Sequence, residues 1–277
     1  MRQRASATPA AMEMREFVVD AQLAAASHPG RKHPTNQDFA GVLRLPDGSV
    51  LMAVADGVST AQLSDQAAQL AAMTAVESAR AGFALGATDA QKVLEQAVHA
   101  ANAAVKALPF LPNTPLDEPM TTLVLARVAG AQLDVAWAGD SRLYITGPGR
   151  CDFVTRDDSW LMDAVDAGMP LEQASKDRSA HCITQCLGMR DDELLVNLAQ
   201  VTVPVDALVV ACSDGLWNYA DPALELSALV ARHASTDTAL DLSRALVRFA
   251  NDAGGQDNIT VACFRPEVAA QGVKSSV

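Results

Sequence analysis

The chain has 277 residues, of which 33 are acidic and 21 basic, for a formal net charge of −12. Hydrophobic residues make up 49% and charged residues 19%, a balance that supplies a core and excludes wholesale disorder. No apolar run approaches the ~18 residues of a membrane span, and the acidic surplus argues against nucleic acid as a partner while leaving room for divalent cations. Residues 1–15 read as a loose leader without the apolar stretch of a signal peptide. Phe39 to Leu45 and Ser49 to Ala55 then read as strands around Pro46-Asp47-Gly48, where Pro presets φ and Gly accepts a positive one. A helix runs from Ser64 to about Ala84, with Asp65 near its positive end. A second opens on Thr88-Asp89-Ala90-Gln91, a capping-box pattern, and keeps helical spacing through Val93, Leu94, Ala97, Val98, Ala101, Val105 and Leu108.

Strands follow at Thr121 to Val128 and Gln132 to Ala138, and a further pair joins Arg142-Leu143-Tyr144-Ile145 to Asp152-Phe153-Val154 through Gly147-Pro148-Gly149. Residues 159–182 read as a polar, irregular, mobile insertion. Leu194 to Val203 and Ala207 to Cys212 are strands, Pro222 to Ala234 and Thr236 to Ala253 helices, and Asn258 to Phe264 a closing strand. Residues 266–277 read as a tail. Loops this short force antiparallel pairing, since a parallel crossover needs many more residues. Antiparallel runs with helices in separate blocks predict an α+β domain over residues 16–265. Five scattered cysteines, Cys151, Cys182, Cys186, Cys212 and Cys263, form no disulfide framework and point to a reducing, cytoplasmic setting. Cys212 and Cys263 read as small buried hydrophobes, and His181, Cys182 and Cys186 lack the second pair that a zinc site needs.

Four carboxylates share one local pattern. Apolar runs end in Ala55-Asp56-Gly57, Ala138-Gly139-Asp140-Ser141 and Cys212-Ser213-Asp214-Gly215, and Gln256-Asp257-Asn258 leads into Ile259-Thr260-Val261. Asp-Gly after a strand is by itself an ordinary turn. Four such sites in one chain instead predict converging carboxylates, which repel unless cations lie between them. Hard oxygen donors select Mg²⁺ or Mn²⁺, and phosphate chemistry is one use of such a centre.

Asn36-Gln37-Asp38, Ala55-Asp56-Gly57-Val58, Met120-Thr121-Thr122-Leu123, Gly139-Asp140-Ser141-Arg142, Cys212-Ser213-Asp214-Gly215 and Gln256-Asp257-Asn258 occur in that order. The series resembles the bacterial metal-dependent type 2C (PPM) Ser/Thr protein phosphatase family over roughly Ala21 to Phe264. The resemblance implies a four-layer αββα sandwich of two antiparallel sheets flanked by helices. It implies two Mn²⁺ or Mg²⁺ ions, with Asp56 bridging both, the Gly57 carbonyl completing one, Asp214 and Asp257 holding the other, and Asp38 acting directly or through water. Asp140 would hold a third, weaker ion, and residues 159–182 would be the family's flap. The implied activity is hydrolysis of phosphoserine and phosphothreonine by a metal-bridging hydroxide. The implied partners are phosphorylated proteins, a Ser/Thr kinase or its substrates.

The sequence also departs from that family. Its phosphate-binding arginine position is occupied by His33, which cannot grip phosphate bidentately as a guanidinium does. Either Arg31 reaches in by a local shift of the loop, the favoured option, or His33 does a weaker version of the work. Gln37 replaces a glutamate, Val58 leaves no general acid beside Asp56, and Asp158 stands in a histidine slot. Thr121 and Thr122 read as sheet packing. These departures motivate the alternative of a pseudophosphatase, a binding or regulatory module that keeps the fold without turnover.

Overall fold

The computed structural model describes residues 13–111, 118–147, 149–220, 225–233 and 238–266. Its strands are β1 (Arg15–Val18), β2 (Leu23–His28), β3 (Asp38–Arg44), β4 (Val50–Asp56), β5 (Leu123–Ala129), β6 (Gln132–Ala138), β7 (Arg142–Gly147), β8 (Arg150–Phe153), β9 (Asn197–Thr202), β10 (Leu208–Cys212) and β11 (Ile259–Phe264). Its helices are α1 (Ser64–Ala84), α2 (Ala90–Lys106), α3 (Trp160–Asp166), α4 (Leu171–Ala174), α5 (Asp214–Trp217), α6 (Ser227–His233) and α7 (Ala239–Ala253). One sheet has the order β1-β2-β11-β10-β7-β8 and the other β3-β4-β5-β6-β9, with every pairing antiparallel.

Three apolar layers give the four-layer order. Alternate residues of β4 and β5, such as Leu51, Ala53, Leu123 and Leu125, face α1 and α2. Their neighbours Met52, Val54, Val124 and Ala126 face the other sheet, where they meet Val209, Ala211 and Ala262. On its outer side that second sheet packs Val210, Val261 and Cys263 against Leu242, Leu246 and Val247 of α7. The side of α1 that meets the sheet is an alanine stripe, Ala67, Ala68, Ala71, Ala72, Ala75 and Ala79, which lets helix and sheet approach closely. Cys212 and Cys263 are buried. Among the described residues no helix is long and apolar enough to cross a membrane.

Several boundaries differ from the sequence reading, each for a local reason. The N-terminal hairpin β1–β2 was not expected, because Leu23-Ala24-Ala25-Ala26 carries no β-branched signal; it is strand because β11 pairs with it from Ile259↔His28 to Phe264↔Leu23. Since β1 starts at Arg15, the leader ends earlier than residue 15, and its residues 1–12 lie outside the described set, as does the tail beyond 266. The cap of α2 is Asp89, whose side chain accepts from the Lys92 N–H, not Thr88. The capping box that does form is at α7, between Thr238 and Asp241. Residues 222–224, 234 and 236–237 of the last two expected helices lie outside the described residues.

The insertion at 159–182 is not irregular: it holds α3, capped by Ser159, and α4. Its ends are zipped together by a bridge between Ser159 and Ile183 and by the Trp160 N–H donating to the Cys182 carbonyl at 2.8 Å. Its base is tied down by Asp158, which accepts from the Gly139 N–H at 2.9 Å and from the Asn197 amide. A polar brace stands beside it. Arg142 makes a two-pronged pair with Asp157, at 2.9 and 2.6 Å, while its guanidinium stacks on Trp217 at 3.7 Å. The side chains of this pair are only 15% and 8% exposed. Arg142→Met strands a buried Asp157 carboxylate, and the expected loss of ~3–5 kcal/mol in urea denaturation checks the brace; an unchanged midpoint excludes it.

Candidate metal centre

Antiparallel pairing puts the end of one strand beside the start of the next. The acidic motifs therefore alternate between strand-then-Asp and Asp-then-strand, and they meet at one end of the sandwich. Asp38 opens β3 and is the register partner of Asp56, which closes β4. Cys212, two residues before Asp214, pairs with Val261 of β11 on one side and Arg142 of β7 on the other. This gathers Asp140, Asp214 and Asp257. A cavity of about 500 Å³ opens there, and Asp56, Gly57, Asp140, Asp214 and Asp257 line it. Asp38, 2% exposed, lies behind Asp56.

The glycines that follow Asp56 and Asp214 serve close approach rather than a left-handed turn. A Cβ on Gly57 would stand 2.4 Å from the Ser64 carbonyl oxygen, and one on Gly215 only 1.9 Å from that of Asn258. Short polar side chains hold the strand ends. Thr122 accepts from the Asp56 N–H at 3.1 Å, Thr121 donates to the Asp56 carbonyl at 2.9 Å, and Thr122 also bonds Ser141 at 2.7 Å. The two threonines are thus braces of the Asp56 and Asp140 turns, a role that strand propensity alone does not reveal. Asn258 clamps the loop before β3: its amide nitrogen donates to the carbonyls of Pro29 and Thr35, and its oxygen accepts from the Gln37 N–H. Ser213 donates to Asp38 Oδ2 at 2.7 Å and accepts from the Thr260 N–H. Sequence reasoning missed Ser213, Thr122 and Asn258 as parts of the site.

Electrostatically Asp56 is the hub. Its carboxyl lies close enough to those of Asp38 and Asp214 to influence the protonation of both. Burial, and then the charges of Asp38, Asp214, Asp140 and Asp257, hold it well above the usual carboxylate range. Burial pushes Asp38 up to about 7, and burial together with neighbouring carboxylates does the same to Asp140 and Asp214. Two oxygens in the cluster, Asp38 Oδ1 and Asp214 Oδ1, are buried without a hydrogen-bond partner. Among the described residues no group of three or more acidic, His or Cys side chains is placed to hold a metal ion as it stands; the carboxylates ring an open cavity instead. Orphaned hard oxygens beside carboxylates that can approach one another only by sharing protons are the donor set a divalent cation fits, with water completing its shell.

The two candidates for phosphate binding stand in different surroundings. Arg31 pairs with Asp252 at 2.7 Å, with its side chain 54% exposed, and is not among the residues lining the cavity. His33 stands closer to the centre, its Nε2 3.4 Å from Asp257 Oδ1. Gln37 turns its amide toward the Ser64 hydroxyl at the start of α1. His181, Cys182 and Cys186 also line the cavity.

The model of the family described as protein phosphatase 2C matches residues 26–250. The chain belongs to that family, the metal-dependent Ser/Thr protein phosphatases. It is 26% identical over 249 residues to the serine/threonine phosphatase stp of Listeria monocytogenes, covering 89% of this chain and 96% of that one. A PPM Ser-Thr phosphatase, MsPP from Mycobacterium smegmatis, solved in complex with cacodylate, superposes with a TM-score of 0.70 at 28% identity, over 88% of this chain and 98% of that one. The catalytic domain of the phosphatase PstP, solved with two manganese ions, gives a TM-score of 0.70 over 92% of this chain and 99% of that one. At 24% identity that likeness shows the shared sandwich.

A raised carboxylate in the folded chain binds its proton where the unfolded chain has lost it. Its contribution is fully present below about pH 4 and is lost as pH rises through about 7. In EDTA near pH 8, Asp38→Asn is therefore expected to melt higher than the unaltered chain, and the gap is expected to narrow near pH 5.5. Thermal melts at both pH values check this. An Asp38→Asn protein that melts lower than the parent near pH 8 excludes the assignment.

Proposed function

We propose that this chain is a working metal-dependent phosphatase that removes phosphate from phosphoserine and phosphothreonine in proteins, the counterpart of a Ser/Thr kinase. The observation that carries the reading is the buried carboxylate cluster centred on Asp56, with Asp38 Oδ1 and Asp214 Oδ1 left without partners. A binding module has no use for that repulsion, because the folded chain would bear it in every molecule without return. The two manganese ions of PstP and the cacodylate of MsPP, an oxyanion, support the same reading by likeness.

On this reading Asp56 and the Gly57 carbonyl, with Asp214 and Asp257, hold two Mn²⁺ or Mg²⁺ ions. Asp38 supports them from behind Asp56, and Asp140 holds a third. When bound, the ions supply an activated water and offset the charge that builds on the phosphoryl oxygens. The protein's own part is positional. Asp56 is fixed by Thr121 and Thr122, Asp38 is aimed by Ser213, and Asp214 sits at the first turn of α5 against Gly215 and Asn258. The Met120, Ile183 and Met189 side chains line the same cavity and restrict water around the reacting group.

Phosphate release from a phosphothreonine peptide, measured with Mn²⁺ and after EDTA, tests the proposal. Release that needs Mn²⁺ is expected, and Asp214→Asn is expected to lower kcat by about a thousandfold while the circular dichroism spectrum is retained. Retained activity in Asp214→Asn excludes the ligand assignment. Mn²⁺ binding by calorimetry without release at any concentration favours the pseudophosphatase.

A further inference from the structure

Asp56, Asp140, Asp214 and Asp257 line the cavity and Asp38 lies just behind, so most of the positive charge that bound cations bring is taken up by these carboxylates. A phosphorylated side chain brings further negative charge into the same space. Family members commonly meet that charge with an arginine, yet among the described residues none that lines this cavity is lysine or arginine. The nearest guanidiniums in sequence are engaged elsewhere in this structure. Arg31 is engaged with Asp252 outside the cavity, and Arg142 is locked against Asp157 and Trp217.

Among the described lining residues, one side chain can carry a positive charge or donate from a ring nitrogen to a phosphoryl oxygen, and it is His181. Its backbone is held on both sides. The preceding Ala180 is 3% exposed, and its N–H donates to the Asp177 carbonyl. The following Cys182 donates to the Ser179 carbonyl at 2.8 Å and accepts from the Trp160 N–H at 2.8 Å, while Ile183 bridges to Ser159. The imidazole, itself exposed, thus projects from a pinned segment at the rim, on the side of the cavity formed by the 159–182 insertion. His33 is not equivalent, because its ring already stands on Asp257.

We propose that His181 is the protein's own phosphoryl-binding side chain, donating from its imidazole to a non-bridging oxygen of the phosphorylated serine or threonine; this rests on the phosphatase reading above. The role is recognition of the phosphoryl group rather than proton transfer to the departing hydroxyl. It predicts loss of affinity at unchanged turnover.

Steady-state kinetics on a phosphothreonine peptide at saturating Mn²⁺ tests it. His181→Ala is expected to raise KM about tenfold with kcat within about twofold. His181→Arg is expected to keep KM at or below that of the parent, since a guanidinium grips phosphate in two places. His181→Gln, which keeps one donor, falls between them. An unchanged KM in His181→Ala overturns the proposal. So does a fall in kcat at constant KM, which would make the ring a proton donor. Mn²⁺ calorimetry on each variant reports whether the carboxylates remain assembled. If the parent binds the peptide but releases no phosphate, the phosphatase reading fails by itself. Peptide affinities of the parent and His181→Ala then decide the matter: weaker binding by the variant supports the role and equal binding overturns it. A parent that binds no peptide in the presence of Mn²⁺ overturns both.

Discussion

The crowding of carboxylates around Asp56 is the constraint on which the rest of the structure depends. Five acidic side chains converge because two antiparallel sheets end together, and without cations the cluster holds only by sharing protons. That is why burial and mutual repulsion raise Asp38, Asp140 and Asp214 together, to about 7. A group so raised opposes folding at neutral pH unless something replaces the proton. On the proposed reading, metal binding and fold stability are therefore one linked equilibrium, and the Mn²⁺ concentration that sustains turnover also stabilises this end of the sandwich.

Holding such a cluster in place falls to residues with no charge of their own. Asn258 uses both ends of its amide to join the loop before β3 to the start of β11, so the segments that carry Asp38 and Asp257 are tied together. Thr122 links the Asp56 turn to Ser141 and thereby to the Asp140 turn. Ser213 ties the end of β10 to Asp38 on one side and to Thr260 on the other. Each bond is ordinary, worth about 1 kcal/mol net, but together they join the two sheets at the end where apolar packing stops. The Gly57 and Gly215 positions belong to the same device, since any side chain there would force the backbones apart.

The acidic motifs could be read from sequence because they combine a long apolar strand, a carboxylate and a small residue, and each of those has its own signal. Their neighbours could not. Thr122, Ser213 and Asn258 are common short polar residues, and what makes them functional is a partner dozens to hundreds of positions away. Strand β2 was missed for the opposite reason: an alanine run has weak strand propensity, and only its place between β1 and β11 decides its state. The insertion after Asp158 looked irregular because α3 and α4 are too short to show a helical period. The preference for Arg31 over His33 weighed guanidinium chemistry and had no view of Asp252, which is distant in sequence and is that guanidinium's partner here.

Electrostatics also imposes an order of events. With no lysine or arginine among the described residues of its walls, the metal-free cavity presents carboxylates to a phosphate dianion, and like charges a few ångströms apart in a half-buried space repel strongly. A phosphorylated side chain can enter only after cations have changed the sign of the floor. His181 alone, one cationic side chain at most, does not reverse several carboxylates. Binding is thus expected to be ordered, metal before phosphoprotein, with the selectivity for phosphate conferred largely by the ions and adjusted by the rim. On the proposed reading such a site has little affinity for its substrate when metal is scarce, so its activity is expected to follow the divalent cation supply.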